Sequence, residues 1–98
     1  MLENQFEAFL LDDVNIESKE KAVASRVSKA RAIERELDKS LDEIVGDDRS
    51  MYNALVIIKG RMNDKSGAYS NALRKYYIFK NGREFPRLSA YERRDCVK

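Results

Sequence analysis

Apolar side chains recur along this chain at spacings of three and four residues, the repeat of an α-helix. Leu2, Phe6, Phe9 and Leu10 share one face of a short first helix, Leu2 to Leu11, which Asp12-Asp13 ends. Asn15 or Ser18 then caps a second helix that runs to about Leu37, with Val23, Val27, Ala30, Ile33 and Leu37 as its stripe. Arg26 and Glu34 fall inside the arc of that stripe, roughly 40° either side of Ala30. Buried charges need partners or must snorkel, so these two are expected to be edge residues or members of a structural ion pair. Ser40-Leu-Asp-Glu43 has the form of a capping box and opens a single helical turn closed by Gly46. Asp47 or Asp48 caps a third long helix, with Met51, Leu55, Ile58 and Met62 inward, Tyr52 and Val56 widening the face, and Gly60 as an early end.

After a linker over Arg61 to Lys65, the stretch Ser66 to Lys80 combines helical periodicity with the densest mix of aromatic and basic residues. Placing Leu73 at zero on a wheel of about 100° per residue brings Tyr69, Tyr76 and Tyr77 within roughly 60° of it, with Ala72 at the edge. Asn71, Arg74, Lys75 and Ile78 lie on the far side. Asn63, Asp64 or Ser66 caps this helix, and Gly82 followed by Pro86 stops it. Residues 87–98 hold a weak helical pattern through Leu88 and Tyr91 and are expected to be a frayed or loosely docked tail. The prediction is therefore an all-α protein: one domain over residues 1–86, built as a compact bundle of four main helices with a short capped helical turn, and a C-terminal tail.

Composition agrees with that class. The 98 residues include one Pro, four Gly and no Trp, with 43% hydrophobic and 37% charged residues, enough for one small core. The longest apolar run, Ala54 to Ile58, is far too short to span a bilayer, and Glu3 and Glu7 stand where a signal peptide carries basic residues. A cytoplasmic protein without a membrane role is expected. A lone Cys96 permits no internal disulfide, and the absence of His removes the commonest general base and metal ligand.

The net charge of +2 conceals a segregation. Residues 1–18 carry −5, residues 19–35 carry +4, residues 36–48 carry −5, and residues 59–98 carry +7. Either these faces pair with one another across the bundle, or the two basic segments form a cleft for an anionic polymer. Acid pairs at Asp12-Asp13, Asp42-Glu43 and Asp47-Asp48 all fall at helix ends, where complementing the helix dipole explains them better than acid–base or metal chemistry. Gly67 lacks the flanking glycines of a phosphate loop. Three of the five tyrosines belong to the core stripe of the last helix, so packing explains them better than nucleophilic chemistry. No enzyme, metal or cofactor is expected.

The last helix reads Ser-x-x-x-x-x-Ala-Leu-Arg-x-x-Tyr, carried by Ser66, Ala72, Leu73, Arg74, Tyr76, Tyr77 and Phe79 and followed by Gly82 and Pro86. With it go Ser25-Arg-Val and Ile33-Glu in the basic second helix and Leu41-Asp-Glu-Ile in the capped turn. From Lys21 to Pro86, about two thirds of the chain, this pattern resembles the core-binding, SAM-like N-terminal domain of the tyrosine recombinases and phage integrases. The resemblance implies that the second and last helices face DNA, which makes Arg26, Lys29, Ser66, Ser70, Asn71, Arg74 and Lys75 the candidate contacts. Lys29, Asn71 and Lys75 are also polar-facing on the helical wheels. A recombinase further needs a domain bearing Arg, His and Tyr, which is expected to begin where this chain stops, and without any His, Tyr91 is not read as a cleavage tyrosine. The resulting expectation is a stand-alone, non-catalytic module for double-stranded DNA. The alternative is a small helical protein that binds a protein partner or forms a homodimer through Val56, Ile78 and the tail, with no nucleic-acid role.

Overall fold

Six helices order the chain in the computed structural model, which describes residues 2–12, 19–62, 64 and 67–96. They are α1 (Glu3–Leu11), α2 (Lys19–Leu37), α3 (Leu41–Val45), α4 (Asp48–Arg61), α5 (Ala68–Asn81) and α6 (Leu88–Cys96). There is no strand among the described residues. The protein is all-α: α1, α2, α4 and α5 form the bundle and α3 is the short capped turn. A Cα radius of gyration of 13.2 Å is that of a compact chain of this length.

Local chemistry sets the helix ends. Ser40 Oγ accepts the Glu43 N–H at 3.2 Å and starts α3, and an Asp47 carboxylate oxygen accepts the Ser50 N–H at 3.1 Å and starts α4. The capping box at Ser40 is half of the expected one. Glu43 is exposed, and the neighbouring Leu41 N–H is instead satisfied by Glu34 from α2 at 2.9 Å. Asp64 caps α5 from outside the helix, accepting the N–H groups of Tyr69 and Ser70. Asn63 and Ser66, the alternative caps for this helix, lie outside the described residues, as do Asn15 and Ser18 before α2. Gly67 and Gly82 bracket α5 at φ 75° and 71°, a left-handed conformation that glycine adopts without steric cost.

The core is organised around α5, which touches α1, α2, α3 and α4. Ala72, Leu73, Tyr76 and Tyr77 are fully buried, and α2 presents Val23, Val27, Ala30 and Ile33 to the same interior. Phe6 of α1 meets Tyr76 edge-on, with ring centroids 4.9 Å apart. Both buried tyrosines find polar partners. Tyr76 donates its hydroxyl hydrogen to Asp42 and accepts the Leu2 N–H at 2.8 Å, while Tyr77 donates to Asp48 at 2.6 Å. The first turns of α3 and α4 are thereby stitched to α5. Burial, reinforced by the Asp48 carboxylate, pushes the Tyr77 hydroxyl up to about 12, and burial with Asp42 pushes Tyr76 in the same direction.

Some expectations are corrected by the structure, and others are narrowed to one of their alternatives. Gly60 does not end α4, which continues through Arg61, because the helix has tertiary contacts on the Ile58 side that outweigh one glycine. Val56 is 44% exposed, and Ala54 takes the inward position instead. Leu2 is exposed and contributes its backbone N–H rather than its side chain. Arg26 and Glu34 are edge residues and not partners of each other: eight residues of helix separate them by about 12 Å. Residues 88–96 are helical, with Leu88 and Tyr91 partly buried against the core; Tyr91 stacks on Tyr52 at 5.0 Å. Phe85, unmarked by any periodicity, is buried between Tyr77 and Tyr91.

Candidate nucleic-acid interface

The α2–α5 contact brings three of the expected DNA contacts together. Arg26 and Lys29, one turn apart on α2, and Asn71 on α5 line a concavity of about 310 Å³ whose other walls are Ala22, Ser25 and Ala68. Small residues at 22, 25 and 68 keep the two helices' side chains from filling it. Lys29 holds its ammonium 2.7 Å from Ser25 Oγ and 5.9 Å from the centre of the Tyr69 ring, so the charge is positioned by α2 and α5 together. Arg26 Nε is buried and has no hydrogen-bond partner among the described residues. A buried donor left unsatisfied costs free energy, commonly about 1–3 kcal/mol, and such costs persist where a ligand relieves them. Asn71 is the exposed residue of the first half of α5; Arg74, Lys75 and Ile78, placed with it on the wheel, are half-buried.

The remaining candidates are not part of this concavity. Ser70 donates its hydroxyl hydrogen to Asp64, the carboxylate that also caps the helix. Arg74 turns toward the chain beyond α5, where one terminal nitrogen donates to the carbonyls of Phe85 at 2.9 Å and Pro86 at 3.3 Å. Its guanidinium also lies 5.8 Å from the Phe85 ring centre. Burial lowers its basicity, and Glu84 acts in the opposite sense. Lys75 is half-buried and already engaged within the protein. Ser66 lies outside the described residues.

Ser70 and Arg74 instead line a second cleft, on the other side of α5, together with Lys59, Arg87, Leu88 and Ser89. Sequence reasoning missed Lys59, Arg87 and Ser89, since residues of three separate elements share no period that could reveal them. Among the described residues no group of three or more His, Cys, Asp or Glu is placed to hold a metal ion, and no helix is long and apolar enough to cross a membrane. Comparison of the chain with protein-family models, curated proteins and solved structures finds no match.

Proposed function

We propose that the chain is a non-catalytic module for double-stranded DNA, related to integrase core-binding domains, that grips the phosphate backbone at the α2–α5 concavity. The observation that carries this reading is the pairing of Arg26 with the positioned ammonium of Lys29 in a concavity that has no acid among its described lining residues. A phosphate supplies the counter-charge that this pair of cations lacks. The +4 of residues 19–35 favours approach of a polyanion to this side. Base reading is confined to Asn71, whose amide matches the donor and acceptor of an adenine edge, because it is the exposed residue in the first half of α5. Affinity therefore comes from the phosphates and sequence preference is weak.

The test is a titration of labelled duplex DNA at two salt concentrations with the parent chain and with an Arg26→Met, Lys29→Gln double variant. Methionine keeps an apolar stem without the orphaned donor, so stability is unchanged or raised. Binding weakens for all sequences, and the dependence of log affinity on log salt falls by about one unit for each phosphate that the variant no longer neutralises. No binding by the parent at low salt, or binding indifferent to the double substitution, removes the proposal. The interaction-protein reading rests on Val56, the exposed apolar residue of α4, and becomes the leading one in that event.

A further inference from the structure

The second cleft has a chemistry of its own. About 340 Å³ in volume, it lies where α4, α5 and the start of α6 meet. Lys59, Arg74 and Arg87 converge on it, Ser70 and Ser89 add hydroxyls, and Leu55 and Leu88 form an apolar wall. None of its described lining residues is acidic.

Elsewhere on this surface four cations find carboxylates, Arg31 with Glu3, Arg61 with Glu36, Lys80 with Asp42 and Arg83 with Asp48, while exposed cations such as Lys21, Arg35 and Lys39 stand singly among the described residues and do not converge on a common cleft. Lys59, Arg74 and Arg87 have no ion pair among the described residues. Lys59 is in the last turn of α4, where a cation complements the helix dipole, but the same argument does not reach Arg87 or Arg74. Arg74 is the most constrained of the three. Its bonds to two carbonyls and its position over Phe85 fix the guanidinium without neutralising it. Glu84 acts on Arg74 through space without forming an ion pair with it, and the oxygens of Asp64, which holds Ser70, already accept two N–H groups and the Ser70 hydroxyl. Ser89 belongs to the first turn of α6, so the positive end of that helix opens on the same cleft.

From this convergence we infer that the α4–α5–α6 cleft is a binding site for a phosphate group, held by Lys59, Arg74 and Arg87 with the Ser89 hydroxyl. The volume is at the small end of ligand clefts, which suits a small phosphorylated molecule whose remainder rests on Leu55 and Leu88. A backbone phosphate of a nucleic acid presents the same chemistry at the mouth of the cleft. The site is separate from the α2–α5 concavity and shares none of its described lining residues.

The test follows backbone amide signals of the intact chain by NMR during titration with pyrophosphate, against sodium chloride of equal ionic strength. Saturable shifts at Ser70, Leu88 and Ser89 are expected in the parent. A Lys59→Gln, Arg87→Gln variant should bind at least tenfold more weakly; both side chains are exposed, so the fold is kept. Lys29→Gln should leave the titration unchanged, which separates this site from the DNA proposal. Displacement of pyrophosphate by a short duplex assigns the site to nucleic-acid phosphate, whereas displacement by a nucleoside monophosphate but not by duplex assigns it to a small molecule. Shifts reproduced by chloride, shifts confined to residues 26, 29 and 71, or affinity unaltered in the double variant would overturn the inference.

Discussion

At the scale of single residues, Tyr76 and Tyr77 show how a packing residue acquires a polar duty. Each ring contributes buried apolar area, and each hydroxyl would be an unsatisfied group in the interior without its aspartate. The acid pairs at 42–43 and 47–48 are thus only partly about helix capping: Asp47 caps, but Asp42 and Asp48 receive tyrosines. This arrangement has a pH consequence. Unfolded tyrosine ionises near 10, and both hydroxyls ionise later in the fold, so the folded chain holds their protons more tightly. The stability they contribute is fully present below about pH 10 and falls as pH rises toward the folded value, about 12 for Tyr77. Circular dichroism and tyrosinate absorbance, followed together above pH 9, should show the last two tyrosines ionising only as helicity is lost. A Tyr76→Phe, Tyr77→Phe variant should lose that coupling while being less stable at neutral pH, because two hydroxyl–carboxylate hydrogen bonds and the acceptor of the Leu2 N–H are lost. Full ionisation of all five tyrosines with helicity intact would contradict the assignment.

Helices are the elements that apolar spacing makes readable, and α2 is the clearest instance. Its stripe at Val23, Val27, Ala30 and Ile33 is buried as the spacing implies, since a continuous period has one geometric solution. Where the period is interrupted, reading the chain alone fails. Phe85 sits in a non-helical segment between Gly82 and Pro86, and its burial depends on Tyr77 and Tyr91 arriving from two different helices. Gly60 misleads in the opposite way: a local breaker is overruled by the packing of Ile58 and Met62 on either side of it. That position offers a direct check. Gly60 is helical, exposed and has φ in the ordinary range, and a Cβ there meets no atom within 4 Å. Gly60→Ala should therefore raise stability by about 0.5–1 kcal/mol, read as a higher denaturant midpoint with an unchanged slope. A lower midpoint would mean that α4 does not continue through this residue.

For the molecule as a whole, the candidate surfaces are far less legible in the sequence than the core. Arg26, Lys29 and Asn71 do come together, because i and i+3 on α2 face the start of α5. Resemblance groups Ser70 and Arg74 with them, yet these two face a different cleft, and what Arg74 holds is the segment at Phe85 and Pro86. No linear pattern encodes that, since it depends on how the chain returns after Gly82. The core, by contrast, is a single body. Leu73 is fully buried at its centre, so Leu73→Ala should cost about 2–5 kcal/mol, a large fraction of the stability of a small domain, and thermal melting should register it across the whole molecule at once. Loss of α6 alone, with the rest intact, would show instead that the core is divided.

The place of α5 in the chain bears on how the protein is made. The helix that completes the core begins at residue 68, and its Tyr76 reaches back to the amide of Leu2. During synthesis the helices before it can pair with one another, but the part of the core that faces α5 stays open until α5 is made. Closure of the core is in that sense a late event, and the interval before it is when the chain is most open to chaperones and to aggregation.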